Sequence, residues 1–269
     1  MNLQDTLFAS ILADKRKFVF FLDYDGTLSP IETKPPAMIQ PLMKQVLEVI
    51  MKDFQVIILS GRSQEDLRNL IGIENLFYAG NYGIELSGPQ GFSRVNQAAE
   101  KIIPWTSGML FSLRQKLGNI PDLVIEDRIY DIVLHYGSVA DEAVRNKIVE
   151  VMHAASNHLL LFGSTSGEIL PEEWDKGKAV TWLMDIFGFS EETNACIFIG
   201  DGLADEPAFE AVAGIGYGIL VAENDRPTKA GYRLSSPDEV RCFLDQFKLY
   251  FCKMPSRDLP TKSITSGPF

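Results

Sequence analysis

Three short apolar runs, each ending on a polar residue, constrain this chain more than any other feature. Phe18–Leu22 (FVFFL) is followed by Asp23 and Val56–Leu59 (VIIL) by Ser60; Cys196–Ile199 (CIFI) leads through one glycine to Asp201. Phe77–Gly80 and Gly216–Val221 have the same continuous apolar character. None alternates with polar residues, so each reads as a strand covered on both faces, as in a parallel sheet. Helical patterns lie between them. Pro41–Asp53 places Leu42, Val46, Val49 and Ile50 on one stripe, with Pro41 suited to the helix start, and Lys178–Phe187 does the same with Ala179, Trp182, Leu183 and Ile186. This alternation predicts an α/β fold with a doubly wound, Rossmann-like parallel sheet. Ligands of such sheets sit beyond the carboxyl ends of the strands, so Asp23, Ser60 and Asp201 should converge on one crevice.

The middle of the chain departs from that rhythm. Asp122–Tyr136 alternates, Val139–His153 has a helical pattern, and His158–Phe162 reads as another strand. These predict a small α+β layer with one wet face, inserted at 96–168 into a core made of 1–95 and 169–253. Residues 254–269, rich in Pro, Ser and Thr, read as a flexible tail.

Composition removes several classes of function. Of the 269 residues, 25 are Lys or Arg and 36 Asp or Glu, a net charge of −11 without any basic block, so nucleic acid is not an expected partner. The longest stretch free of polar side chains other than Tyr, Ala211–Ala222, is far below the ~20 residues of a membrane span. The amino terminus does not read as a secretory signal, because acidic residues interrupt it. Three widely spaced cysteines argue for a reducing, cytoplasmic setting and against a disulfide framework. With three histidines and no Cys-x-x-Cys pair, any metal would have to be held by oxygen.

Two acidic motifs carry the chemistry. Asp23-Tyr24-Asp25-Gly26-Thr27 is compatible with a simple Asp-Gly turn. It also supplies a carboxylate able to act as a covalent nucleophile and a second acid to protonate a leaving oxygen and then deprotonate water. Asp201-Gly202-Leu203-Ala204-Asp205 reads either as an acidic helix start or, beside Asp23, as an oxygen-rich Mg²⁺ site. A phosphate dianion among clustered carboxylates calls for such a cation. Lys176, at a helix start, can add positive charge. Ser60-Gly61-Arg62 can offer a hydroxyl and backbone N–H groups to a phosphate, or be an ordinary helix cap. Arg62 and Lys178 fit equally as phosphate contacts or as surface charges.

Together DYDGT, LSGR, the Lys-Gly at a helix start and GDxxxDE resemble the haloacid dehalogenase superfamily of aspartate-dependent phosphotransferases. Within it, LDYDGTLSPI, GNYGIE, the Glu126-x-Arg128 pair before LHY, and GEILPEEWDKGKAV with GDGLADEPAF are similar to the trehalose-6-phosphate phosphatase family, over about Phe18 to Phe209. The resemblance implies Asp23 as nucleophile, Asp25 as general acid/base, and Ser60 and Lys176 as phosphate ligands. It implies Mg²⁺ at Asp23, the Asp25 carbonyl and Asp201, with Asp205 close behind. It makes the insertion a cap that closes over a sugar phosphate through Glu126, Arg128 and Glu168. It also implies functional pairing with a trehalose-phosphate synthase; oligomeric state is left open.

The chain departs from the family pattern at Arg128 (usually Lys), Tyr82 (His), Gly137 (Arg), Gly202 and Ala204. None of these removes the nucleophile, the acid/base or the metal acids. They keep open a related sugar phosphatase acting on sucrose phosphate, a glycosyl phosphoglycerate or a hexose phosphate. A non-catalytic phosphosugar sensor is a third reading, though a sensor has no need of Asp25.

Overall fold

The computed structural model describes residues 3–31, 38–155, 160–163 and 165–252. The five apolar runs form β1 (Lys17–Leu22), β2 (Gln55–Leu59), β3 (Phe77–Gly80), β10 (Asn194–Gly200) and β11 (Gly216–Val221). With β12 (Tyr232–Leu234) they pair in parallel, and the order across the sheet is β12-β11-β10-β1-β2-β3. Successive residues point to opposite faces, which explains why the runs are apolar throughout. Phe20 and Leu22 enter one core layer with α1 (Leu3–Ala13), α2 (Pro41–Ile50), α3 (Gln64–Ile71) and α8 (Pro237–Cys252). Phe21 enters the other, with α6 (Lys176–Ile186) and α7 (Glu206–Val212). Each such fully buried Phe or Leu stabilises the fold by about 1.5–3 kcal/mol. The α/β, Rossmann-like expectation holds.

The helical stripes differ in detail from the sequence reading. α2 buries Met43, Val46, Leu47 and Ile50, an i, i+3, i+4, i+7 set, while Leu42 and Val49 are 58% and 38% exposed on the neighbouring flank. Apolar type at that flank misled the spacing. α6 buries Ala179, Val180, Leu183 and Met184, and leaves Trp182 and Ile186 half-buried at its edge.

Three elements fall outside the sequence expectation. β4 (Glu85–Ser87) and β5 (Ser93–Val95) extend the sheet beyond β3 as an antiparallel edge, and α4 (Ala99–Leu117) carries Pro104 inside it. A proline in the second turn removes one N–H donor, and the helix persists because Ile102, Leu110, Leu113 and Leu117 pack beneath it.

The second sheet has the order β6-β7-β9-β8, all antiparallel, from β6 (Val124–Asp127), β7 (Ile132–His135), β8 (Leu160–Phe162) and β9 (Ser166–Ile169). α4 and α5 (Glu142–Ala155) pack on one face through Leu113, Leu134, Ile148 and Met152. The other face carries the register row Glu126–Val133–Glu168. Ile132, Val133 and Leu134 are all buried, so β7 does not alternate: its polar-side face meets the core domain rather than open water. The expected tail, 254–269, lies outside the described residues. Among the described residues no helix is long and apolar enough to cross a membrane, and Cys196 and Cys242 are free thiols.

Candidate active site

Adjacent strands β10, β1 and β2 end side by side, and their next side chains meet as the parallel topology requires. Asp23 is tied to β10 by its N–H to the Ile199 carbonyl at 2.9 Å, and Ser60 to β3 by its N–H to the Ala79 carbonyl at 3.1 Å. After Asp23 the chain turns tightly, with the N–H groups of Leu28 and Ser29 donating to the Tyr24 carbonyl at 2.9 and 3.0 Å. Gly26 makes that turn possible: its φ is +77°, and a Cβ there would fall 2.2 Å from Asp201 Oδ2.

Lys176 opens α6 behind Asp175, whose side chain accepts from the Lys178 N–H. Its ammonium, buried at 3% exposure, donates to Asp23 Oδ1 at 2.6 Å and Asp205 Oδ1 at 2.7 Å. Asp205 Oδ2 accepts the N–H groups of Asp201 and Gly202 at 3.0 and 2.8 Å, and Thr27 donates to Asp23 Oδ2 at 3.2 Å. Burial alone would lower the Lys176 pKa, but Asp205 and Asp23 outweigh it and hold the ammonium charged. Asp23 is pushed up to about 7 by burial and then by the charges of Asp205 and Asp25, with Lys176 opposing. Asp201 rises to about 8, first through burial and then through Asp23 and Asp205.

Carboxylate oxygens of Asp23, Asp201 and Asp205 lie within 4.8 Å of one another. An all-oxygen set in which buried acids resist ionisation fits a divalent cation, which would favour their charged forms. Asp205 takes three protein donors on its two oxygens and Asp23 takes two, so Asp205 is the most committed of the three acids.

Asp25 stands at the mouth, paired bidentately with Arg62 at 2.6 and 2.7 Å. Ser60 does not cap α3: the N-cap is Ser63, whose hydroxyl oxygen accepts from the Asp66 N–H, and Ser60 Oγ accepts from the Arg62 N–H at 3.2 Å. Lys178 is half-exposed, bonds the Glu172 carbonyl, and lies away from the pocket.

Asp23, Asp25, Ser60, Arg62, Lys176, Asp201 and Asp205 line one pocket of about 1060 Å³, and Glu126, Arg128 and Glu168 of the inserted layer line it too. Arg128 lies one residue past β6 and donates from Nε to Glu126 Oε1 at 3.2 Å; His135 Nε2 and Glu126 Oε2 are 2.6 Å apart. Gly61 lies against the Tyr82 ring, where a Cβ would meet it at 2.6 Å. The pocket thus gathers the acidic, phosphate and sugar candidates named from sequence.

Sequence reasoning overlooked four contributors. Thr27, inside the DYDGT motif, steadies Asp23. Tyr82, noted only as a departure, donates to Glu168 Oε1 at 2.6 Å while its carbonyl accepts Trp174 Nε1–H at 2.8 Å. Tyr130 donates to Glu85 Oε1 at 2.8 Å, a second contact between inserted layer and core. Arg226 braces the Asp201–Asp205 loop by donating to Glu206 and to the Asp201 and Gly202 carbonyls. No local signal marks Arg226, which reaches the loop from the β11–β12 connection. Gly137 packs against Thr165 rather than the pocket.

Comparisons with known proteins agree with this geometry. A trehalose-phosphatase family model matches residues 21–238. The probable trehalose-phosphate phosphatase 4 of Oryza sativa subsp. japonica is 35% identical over 88% of this chain and 68% of its own length. The trehalose-phosphate phosphatase of Mycobacterium tuberculosis is 34% identical over 95% of this chain and 68% of its own. In fold, the C-terminal domain of Candida albicans trehalose-6-phosphate phosphatase superposes with a TM-score of 0.73 at 22% identity, covering 90% of this chain and 95% of that one. A family model spanning most of the chain, two relatives above 30% identity, and an aspartate-lined pocket under an inserted layer lead to one conclusion: this chain belongs to the trehalose-phosphatase family.

Proposed function

We propose that this chain is a Mg²⁺-dependent phosphatase that hydrolyses trehalose 6-phosphate to trehalose and phosphate. The observation that carries the reading is the Asp23 carboxyl, held by Lys176 at 2.6 Å, in one pocket with Glu126, Arg128 and Glu168. One end suits a phosphate, and the volume suits a disaccharide. An Asp23 oxygen attacks phosphorus and forms an aspartyl phosphate as the bond to the sugar oxygen breaks. Asp25 gives that oxygen its proton, then takes one from the water that attacks phosphorus and frees Asp23. Lys176, Ser60 and the Gly61 N–H receive the phosphoryl oxygens, and Arg62 holds Asp25 at the mouth. Mg²⁺, held by Asp23, the Asp25 carbonyl and Asp201, would neutralise charge on the phosphoryl group. The insertion acts as a cap that excludes water from the sugar end while the ester is cleaved. The substrate implies functional pairing with a trehalose-phosphate synthase.

A panel of phosphosugars assayed with and without Mg²⁺ tests this. Trehalose 6-phosphate is expected to exceed sucrose, glycosyl-glycerate and hexose phosphates in kcat/KM by at least about tenfold, or ~1.4 kcal/mol. Release of phosphate should require Mg²⁺ and be lost in Asp23→Asn; robust turnover by that variant refutes the nucleophile.

A further inference from the structure

Asp131 is an acid that the chemistry above does not use. It ends the turn between β6 and β7, accepts the Arg128 N–H on its carbonyl at 3.1 Å, and is only 1% exposed. Its Oδ1 is the one buried side-chain oxygen or nitrogen without a hydrogen-bond partner among the described residues. Val133 pairs with Glu168 across β7 and β9, so Asp131, two residues before Val133, lies diagonally across from Glu168 on the same face of the sheet. Two carboxylates possess no donor between them, so a hydrogen bond between these neighbours needs a proton on one of them. Glu168 meanwhile accepts the Tyr82 hydroxyl at 2.6 Å and has the Arg128 guanidinium 3.8 Å from the same oxygen. Asp131, buried with an orphan oxygen and without a cation in hydrogen-bond contact among the described residues, is suited to hold a proton.

We propose that Asp131 is a positioning residue that, as a neutral acid, donates a hydrogen bond to Glu168 and with Tyr82 aims Glu168 at the hydroxyls of the sugar. The inference rests on the reading of Glu168 as a sugar contact and extends it. Glu168 is then held from both sides, by Tyr82 from the core at 2.6 Å and by the neighbouring Asp131 from the cap, and it lines the pocket. A preset carboxylate loses less freedom when it accepts sugar hydroxyls. The charged groups around Asp131 act in a consistent direction. Burial and the neighbouring Glu168, with a smaller push from Glu126, drive its pKa far above the usual carboxylate range, and only Arg128 opposes. Tyr82 is also raised, by burial and by Glu168, and stays a donor.

The first test needs no substrate. Infrared spectra of the full-length protein in excess Mg²⁺ near neutral pH should contain a buried carboxylic-acid C=O band that Asp131→Asn removes. A spectrum in which Asp131→Asn removes no such band overturns the proposal. The second test is kinetic, on the phosphosugar that the panel selects. Asp131→Ala should raise KM about tenfold with kcat within about threefold, the loss expected of one hydrogen bond to a charged group. Asp131→Asn, whose amide donates where the acid did, should bring KM back to near the wild-type value. Wild-type KM should also climb at alkaline pH, while that of Asp131→Asn stays flat. An Asn variant as impaired as the Ala variant would overturn the assignment. A panel without any preferred phosphosugar, alongside the infrared band, supports the shared proton and overturns the trehalose 6-phosphate reading instead.

Discussion

The two ends of the pocket are built by opposite means. At the core end, Asp23, Lys176 and Asp205 are 5%, 3% and 1% exposed, and each is fixed by at least two partners anchored on strand ends or a helix start. At the cap end, the Glu126 and Arg128 side chains are 41% and 34% exposed, and their hydrogen bonds come from one hairpin. Like charges packed in a low-dielectric site need rigid compensation, whereas partly exposed charges can rely on weaker, solvent-screened contacts. On the proposed function, charge at the core end would be structural and chemical at once, while charge at the cap end would govern affinity.

Breaking the core end should have the largest effect. Lys176→Met is expected to lower kcat by about a thousandfold, ~4 kcal/mol of transition-state stabilisation. Because it leaves buried Asp23 and Asp205 uncompensated, it should also cost about 3–5 kcal/mol of stability in urea unfolding. A variant that keeps near-normal kcat would show the ammonium to be mere packing.

The next effect concerns pH without metal. Asp23 and Asp201 sit near 7 and 8 in the folded chain against an ordinary value of 3.8. A raised carboxyl binds its proton more tightly folded than unfolded, so its contribution is complete below about pH 4 and is lost as pH rises through 7 to 8. Thermal melts in chelator should thus show Tm falling from pH 5 to 8, and added Mg²⁺ should restore more at pH 8 than at pH 5. Equal Mg²⁺ stabilisation at both values would break the link between acid cluster and cation.

The smallest effect sharpens the contrast from the other side. Glu126→Gln should raise KM for the preferred phosphosugar about three- to tenfold, with kcat within about twofold, since a partly exposed hydrogen bond contributes ~1 kcal/mol. A collapse of kcat would mean the cap end takes part in the chemistry.

The same contrast governed what could be read from sequence. Asp23, Ser60 and Asp201 were legible because a parallel strand with two buried faces leaves a continuous apolar signature, and the residue after it has a defined place. Lys176 followed from its helix start. The cap end was legible only in part. Glu126 lies on β6, but Arg128 lies in a turn whose conformation includes Ile129 at φ +71°, which no strand period anticipates. Tyr82, Asp131 and Arg226 act across long sequence separations, through contacts that exist only once the sheets are assembled. α4 was missed because Pro104 argues locally against a helix that tertiary packing sustains.

The close approach at Gly26 has a consequence of its own. With no space for even a methyl group between Gly26 and Asp201, the turn bearing Asp23 and Asp25 and the loop bearing Asp201 and Asp205 behave as a single mechanical part. Neither can be shifted without dragging the other, so substitutions that retune one acid will propagate to the rest, and independent adjustment is confined to the cap.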